Sequence, residues 1–137
     1  MMVVDTSALM AIVLAEPASD ACIAALENEA RVLMSAGTLA EALAVADRRM
    51  RAREMTRLIE GIGIEIVPVT PAVARRVAEA YERWGKGVNP AGLNFGDCFS
   101  YEVAKQHSCP LLFVGENFSK TDVESVLQEI GGKRPPG

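Results

Sequence analysis

The sequence contains one histidine, three cysteines and few aromatic residues, and these shortages exclude several kinds of site. With His107 as the single histidine, the sequence argues against a His-based metal site and against a Ser-His-Asp relay. The cysteines, Cys22, Cys98 and Cys109, are widely separated and odd in number. They therefore indicate reduced thiols in a cytoplasmic protein rather than a disulfide framework.

Long apolar runs and an excess of basic residues are also missing. No apolar run approaches the length of a membrane-spanning helix, and the formal net charge is −4. This charge argues against a generally basic nucleic-acid-binding surface but is compatible with a local basic patch. At 137 residues the chain suits one domain with its own core. We expect residues 1–130 to form this domain and residues 131–137 to be a flexible tail.

Short apolar runs alternate with helical patterns along the chain. The first run, residues 1–4, is apolar on both faces, as in the buried strands of parallel sheets. This alternation predicts an α/β domain, a three-layer α/β/α fold with four to five parallel strands whose carboxyl ends lie along one edge. Further strands are predicted at 31–36, 64–69 and 110–114, and helices at 7–14, 17–30, 38–61, 71–84, 94–107 and 122–130.

Acidic residues recur where predicted strands end or where nearby helices begin. Asp5 ends the first strand, Glu41 lies one turn into the next long helix, and Asp97 opens the helix before the fourth strand. Glu116 and Asp122 follow that fourth strand. Such positions converge in a parallel sheet, and clustered carboxylates repel one another unless a counter-charge is present. All-oxygen ligands favour Mg²⁺ or Mn²⁺ as that counter-charge.

Each of these acids also has a purely structural explanation. Asp5 or Ser7 can cap the first helix, and Asp122 can cap the last one. Thr38 and Glu41 have the spacing of a capping box, and Asp97 suits the positive end of a helix dipole. Taken one acid at a time, the sequence leaves the structural and the functional interpretation open.

The segments that carry these residues form an ordered set, VVDTSAL at 3–9, SAGTLAE at 35–41, NFGDCFSY at 94–101 and LLFVGENFSKTD at 111–122. Together they resemble the PIN-domain family and, more narrowly, the VapC-type toxins of bacterial toxin–antitoxin pairs. The resemblance implies a Mg²⁺- or Mn²⁺-dependent endoribonuclease that cleaves RNA, with tRNA or rRNA as the expected target. It also implies a homodimer and a cognate VapB-type antitoxin that occupies the site.

The resemblance assigns roles to individual positions. Asp5, Glu41 and Asp97 match the three main acids of the family, which are expected to bind the metal. Thr6 and Ser7 match the small hydroxyl residues beside the first acid, which are expected to support it by hydrogen bonding.

The fourth acidic position departs from the family pattern. The branch usually has Gly-x-Asp-Phe-x-x-Thr-Asp, and here Asn117 replaces the first aspartate. Asparagine offers a carbonyl oxygen but no charge, so a second metal is expected to bind more weakly. Glu116 or Asp122 is the candidate for a compensating fourth acid.

An acidic site repels RNA, so basic residues are needed nearby. Five arginines lie on the predicted helix that carries Glu41, and three of them share a face at helical spacing, which suits phosphate contacts. A solvated helix end is the alternative interpretation. The arginines are Arg48, Arg49, Arg51, Arg53 and Arg57, with Arg49, Arg53 and Arg57 on the shared face. Tyr81 and Trp84 are predicted either to stack on a base or to pack in a core or dimer interface.

Three other functions were weighed against the nuclease. A phosphotransferase with Asp5 as nucleophile would resemble an Asp-x-Asp motif, and position 7 is serine. Gly61-Ile62-Gly63 lacks the third glycine of a dinucleotide-binding loop and precedes a strand. A catalytically weak module that binds RNA or antitoxin stays as the alternative, because Asn117 carries no charge.

Overall fold

The computed structural model describes residues 1–127, which form a parallel sheet between two layers of helices. All strands are parallel in the order β3-β2-β1-β4. The predicted three-layer α/β/α fold is confirmed. No helix in this described stretch is both long and apolar enough to cross a membrane. The elements are β1 (Met2–Val4), α1 (Thr6–Val13), α2 (Ser19–Glu27), β2 (Val32–Ser35), α3 (Ala36–Arg48), α4 (Ala52–Ile62), β3 (Glu65–Val67), α5 (Pro71–Trp84), α6 (Phe95–Gln106), β4 (Leu111–Leu112) and a short 3₁₀ helix (Phe118–Lys120).

Alternate residues of each strand face opposite sides of the sheet, and this alternation builds two separate cores. Met2 and Val4 pack with helices α1 to α4 on one side. Val3 and Leu33 pack with α5 and α6 on the other. Strands β1 and β4 are apolar throughout because both of their faces are buried, whereas the edge strand β3 is partly exposed and begins with Glu65.

Side-chain caps at the carboxyl ends of the strands position the helices that matter for the site. The Asp5 side chain caps α1, and Ser35, the last residue of β2, caps α3. Because α3 begins at Ala36, Thr38 is already inside the helix. The capping box considered for Thr38 and Glu41 is therefore absent, and capping does not account for Glu41.

The single long helix predicted for residues 38–61 is wrong. The chain breaks the helix at Arg49–Arg51, where Met50 has a left-handed φ of 59°. No glycine or proline marks the break in the sequence. The reversal lets Met55 and Ile59 of α4 enter the same core as Ala46 of α3, so tertiary packing overrides the continuous helical pattern.

The helix predicted for residues 122–130 is wrong in its described part, residues 122–127. Ser125 instead pairs with Leu111 in a single parallel bridge, and the Val126 N–H donates to the Leu111 carbonyl at 3.0 Å. Strand β4 lies at the edge of the sheet, where unpaired backbone groups favour an extended partner over a helix. Residues 128–130 and the predicted tail at 131–137 lie outside the described residues.

Candidate active site

Three predicted acids meet at the carboxyl edge of the sheet, each from a different element. Asp5 follows β1, Glu41 lies on α3 and Asp97 lies in the first turn of α6. Asp5 and Asp97 line one open pocket of about 240 Å³. The Glu41 carboxylate packs against the backbone of Gly96, where a Cβ atom would overlap it. Glycine at position 96 therefore lets α3 and α6 bring their acids close together.

Asp5 is buried and held by donors on both carboxylate oxygens. The Ser100 hydroxyl donates to Oδ1 at 2.5 Å, while the Ser7 N–H and hydroxyl donate to Oδ2 at 3.1 and 2.8 Å. Ser7 Oγ in turn accepts from the Val114 N–H at 3.0 Å, and Ser100 shares a hydrogen bond with Thr38 at 3.1 Å. These contacts fix the orientation of the Asp5 carboxylate. Sequence reasoning missed Ser100, although its position three residues after Asp97 places it on the same side of a helix.

Glu41 is oriented by one hydroxyl and destabilised in its charged form by its surroundings. The Thr6 hydroxyl donates to Glu41 Oε1 at 2.8 Å, and Oε2 faces Gly96. Burial raises the pKa of Glu41, the Thr6 hydrogen bond lowers it, and the charges of Asp5 and Asp97 raise it further. The net pKa lies above the ordinary value, which is the expected behaviour of clustered carboxylates without a cation.

Asp97 both caps α6 and lines the pocket, so the structural and functional interpretations are compatible here. The Asp97 N–H donates to Asn94 Oδ1 at 2.8 Å, and the Asn94 N–H donates back to Asp97 Oδ2 at 3.0 Å. Asn117 Nδ2 also donates to that oxygen at 3.3 Å. Burial and the Asp5 charge nevertheless raise the pKa of Asp97, because they outweigh the hydrogen bonds from Asn94 and Asn117.

The two candidates for a fourth acid lie in different places. Glu116 is exposed and lines the same pocket as Asp5 and Asp97. Asp122 instead accepts a hydrogen bond from the Tyr101 hydroxyl at 2.6 Å and lies 3.3 Å from Lys105 Nζ. The geometry therefore supports Glu116 and gives Asp122 a structural role outside the pocket.

The arginine face predicted on one long helix does not form. Arg48 ends α3, Arg49 and Arg51 lie in the break, and Arg53 and Arg57 lie on α4. The prediction that Arg49, Arg53 and Arg57 share one helix face is therefore wrong. Arg53 and Arg57 are still one turn apart on the same helix. Arg48 lies seven residues after Glu41, which is about 10 Å along the helix axis.

The donor set at this edge fits a hard divalent cation. Carboxylate and amide oxygens dominate the pocket lining, and these are the ligands that Mg²⁺ and Mn²⁺ prefer. Asp5 and Asp97 repel each other, and a bound cation would neutralise their negative charges. Within residues 1–127, no three His, Cys, Asp or Glu side chains already stand at ligand distances from a common point. Asp5 and Asp97 are thus the pair that the pocket offers, with Glu41 beside them.

Comparisons of the whole chain agree with this geometry. The PIN-domain family model matches residues 2–124. The chain is 40% identical over 128 residues to VapC ribonuclease Mb0640 of Mycobacterium bovis, covering 91% of this chain and 98% of the relative. It is also 40% identical over 128 residues to a ribonuclease VapC of Mycolicibacterium smegmatis, covering 91% and 99% of the two chains.

Solved structures show the same fold at lower sequence identity. Mycobacterium tuberculosis VapC20, described as a toxin that cleaves the sarcin-ricin loop, superposes with a TM-score of 0.74 at 17% identity. That match covers 90% of this chain and 96% of VapC20. A toxin–antitoxin complex from Klebsiella pneumoniae gives a TM-score of 0.67 at 16% identity, covering 93% and 97% of the two chains. The chain therefore belongs to the PIN-domain family and, within that family, to the VapC ribonucleases.

Proposed function

We propose that this protein is a Mg²⁺- or Mn²⁺-dependent endoribonuclease toxin that hydrolyses RNA phosphodiester bonds at the pocket of Asp5 and Asp97. The observation that carries the proposal is the convergence of Asp5, Glu41 and Asp97, where burial and the neighbouring negative charges raise the pKa of Glu41 and Asp97. Such a cluster raises the free energy of the folded chain, and it has an evident use only when a cation binds. The relatives of 40% identity are named ribonucleases, which supports the same reaction.

The residues divide the catalytic work by their contacts. Asp5 and Asp97 would hold the cation, and Ser7 and Ser100 keep Asp5 in place. Thr6 fixes one oxygen of Glu41, and we assign Glu41 the role of orienting the attacking water. A bound divalent cation acidifies that water and neutralises the charge that develops on the phosphate oxygens.

Asn117 stands where the family pattern has an acid, and we assign it an accessory role. Its amide donates to Asp97 and lines the pocket, so it orients Asp97 while adding no charge. Glu116, on the same pocket wall, is the candidate fourth acid. A second cation would therefore bind more weakly than the first.

RNA contacts outside the pocket are assigned to the arginines around the α3–α4 break. Arg48, Arg49, Arg53 and Arg57 would contact phosphates on either side of the cleaved bond, which supplies affinity independent of sequence. Their contribution can be measured from the way the RNA-binding constant falls with salt concentration. Replacing Arg53 and Arg57 together should reduce the slope of log binding constant against log salt concentration by the equivalent of about 2 phosphate contacts.

The partners, assembly and location proposed for this chain rest on its resemblance to VapC-type toxins. We assign it a VapB-type antitoxin that blocks the acidic pocket, a homodimeric assembly, a cytoplasmic location and tRNA or rRNA as substrate. The structural neighbour from Klebsiella pneumoniae is a toxin–antitoxin complex, which supports the antitoxin. Size-exclusion chromatography of the chain with and without its antitoxin tests both assembly states.

The competing function is a catalytically weak module that binds RNA or antitoxin, and the uncharged Asn117 is the observation that favours it. Purified protein incubated with total RNA and tRNA in Mg²⁺, Mn²⁺ or EDTA separates the two functions. Discrete fragments that require metal and disappear in Asp5→Asn support the nuclease. Tight RNA binding without metal-dependent cleavage supports the binding module.

A further inference from the structure

Phe95 is an exposed aromatic residue at the first position of α6, next in sequence to a residue that lines the acidic pocket. It lies between Asn94, which lines the pocket, and Gly96, which touches Glu41. It precedes Asp97 by two residues, which corresponds to about 3 Å along the helix axis and places the two side chains on different sides of α6. Although most of its neighbours in α6 are buried, 57% of Phe95 is exposed. Neither the cap of α6 nor packing in the core accounts for a large apolar side chain at this exposed position.

Other rings hold the Phe95 side chain from two directions. Tyr81 of α5 meets it edge to face, with ring centroids 5.9 Å apart and planes at 88°. Phe99, one turn further along α6, meets it at 5.2 Å and 84°. The Phe99 ring in turn lies on Gly37 of α3, where a Cβ atom would overlap it. The three rings, Tyr81, Phe95 and Phe99, form an aromatic column that runs from α5 to α3, the helix that carries Glu41.

The position of this column suggests what it recognises. Phosphates are repelled by the uncompensated carboxylates of the pocket, whereas the π face of a nucleobase is neutral and meets no such penalty. Proteins bind unpaired RNA bases by stacking them on aromatic side chains, and a ring already held in place loses little conformational freedom. An aromatic residue beside an acidic cleavage site is therefore suited to the base next to the cleaved bond.

We propose that Phe95 stacks on an unpaired base adjacent to the scissile phosphate. This inference rests on the proposed ribonuclease activity. It assigns Tyr81, one of the aromatic candidates in the sequence, a supporting contact with Phe95. Trp84, the other candidate, donates its indole N–H to the Tyr101 hydroxyl at 3.0 Å and packs internally.

A second copy of the chain is a less suitable occupant for this surface. A large aromatic side chain buries about 150–250 Å² when it is covered completely. Tyr81 is 39% exposed and Phe95 57% exposed, and Phe99 is partly buried. The aromatic column therefore offers less than about 400 Å², against the roughly 800 Å² per partner of a stable interface. One or two bases match the size of this surface better than a protein partner.

The test combines changes in the protein with changes in the RNA. The bond cleaved by the wild type is first mapped, and an oligonucleotide around it is made in intact form and with the base removed on either side. We expect Phe95→Ala to raise KM for intact RNA about 5- to 100-fold with a smaller change in kcat, and Phe95→Trp to restore KM. On one of the two abasic RNAs, the KM of the wild type should rise by a similar factor. Phe95→Ala should lose no further activity on that RNA.

Several outcomes would overturn the proposal. Equal losses for Phe95→Ala on intact and abasic RNA would show that Phe95 acts on something other than that base. A change in oligomeric state, measured by size-exclusion chromatography, would assign the residue to a contact between copies. Ile66→Ala is the control, because Ile66 is a 39% exposed apolar residue on the edge strand β3 that does not line the pocket, and its loss should leave KM unchanged.

A second readout separates this proposal from the ribonuclease activity itself. Stacking on Phe95 should change the fluorescence of 2-aminopurine placed in single-stranded RNA, and Phe95→Ala should abolish that change. If the wild type cleaves no RNA but gives this signal, the proposed nuclease fails while the stacking site stands. If the wild type cleaves RNA and Phe95→Ala behaves like the wild type in both assays, the stacking site fails while the nuclease stands.

Discussion

Helix α6 carries carboxylates in two opposite electrostatic environments. At its first turn Asp97 lies beside Asp5, and only hydrogen-bond donors offset the repulsion. One turn later Glu102 is buried, yet its Oε2 accepts from the Arg76 guanidinium at 2.9 Å. Asp122, packed against the same part of α6, lies 3.3 Å from Lys105 Nζ. Among residues 1–127, Glu102 and Asp122 therefore each have a basic partner, whereas no basic side chain forms an ion pair with Asp5 or Asp97.

The pKa values of the pocket acids and of the ion-paired Asp122 are shifted in opposite directions. Burial and neighbouring negative charge raise the pKa of Glu41 and Asp97. Burial acts in the same direction on Asp122, but the hydrogen bonds from Tyr101 and Lys105 outweigh it and the pKa is lowered. A fold keeps uncompensated buried charge only where another component supplies the compensation. The comparison therefore identifies which acids are available for a cation.

The largest effect is expected from Asp5→Asn in the pocket. Cleavage should fall about 10²- to 10³-fold, because a charge that holds the cation is lost. In EDTA the variant should be more stable than the wild type, since repulsion of Glu41 and Asp97 is removed and asparagine still caps α1. Single-turnover cleavage and urea unfolding measure the two quantities. Normal cleavage together with reduced stability would contradict the interpretation.

At the other end of α6, Arg76→Ala should destabilise the fold without affecting catalysis. The Glu102 side chain is 3% exposed and would be left as a buried carboxylate without its cation. Since Arg76 is itself partly exposed, we expect a loss of about 1–3 kcal/mol in the free energy of unfolding. The control is Arg75→Ala, which removes an exposed arginine from the same helix. Equal losses for both variants would refute the buried ion pair.

The pH dependence of stability should separate the two ends of the helix. The ordinary pKa values of Glu41 and Asp97 are 4.5 and 3.8, and both are raised in the folded chain. The native state therefore holds more protons than the unfolded state just above these values, so these two groups lower stability as the pH rises. Each unit of pKa difference corresponds to about 1.4 kcal/mol.

Asp122, with its lowered pKa, contributes in the opposite sense, and its stabilisation is lost as the pH falls through the folded value. Urea unfolding in EDTA between about pH 4 and pH 7 should show the advantage of Asp5→Asn growing with pH. Added Mg²⁺ should remove most of that advantage, because the cation binds the native wild type. An advantage that is independent of pH would mean that the repulsion in the pocket is unimportant.

The smallest effect is expected from Asn117→Asp. The change removes the amide donor to Asp97 and adds a charge at an exposed position, so metal-free stability should fall by less than about 1 kcal/mol. The half-saturating Mg²⁺ concentration for cleavage should fall a few-fold, because another oxyanion becomes available. Glu116→Gln is the matched variant on the same wall and should raise that concentration. An unchanged Mg²⁺ requirement in both variants would remove this wall from the metal site.

Much of the fold could be predicted from local patterns in the chain. Thr70-Pro71 and Asn94 are capping signals, and α5 and α6 begin where those signals predict. The break at Met50 and the extended segment around Ser125 could not be predicted in this way. Both depend on distant partners, the shared core of α3 and α4 in one case and the open edge of β4 in the other.

The sequence by itself determined that Asp5 ends a strand and that Glu41 and Asp97 lie early in helices. Buried apolar runs and helix caps are local properties of the chain. The sequence also indicated the family, since four of its segments resemble VapC-type toxins, and the family match confirms this. The tertiary structure decided that Ser100 supports Asp5 and that Asp122 lies away from the pocket. It also decided that Phe95 stays exposed at the start of α6. These outcomes depend on which helix faces meet across the sheet, and long-range packing sets that arrangement.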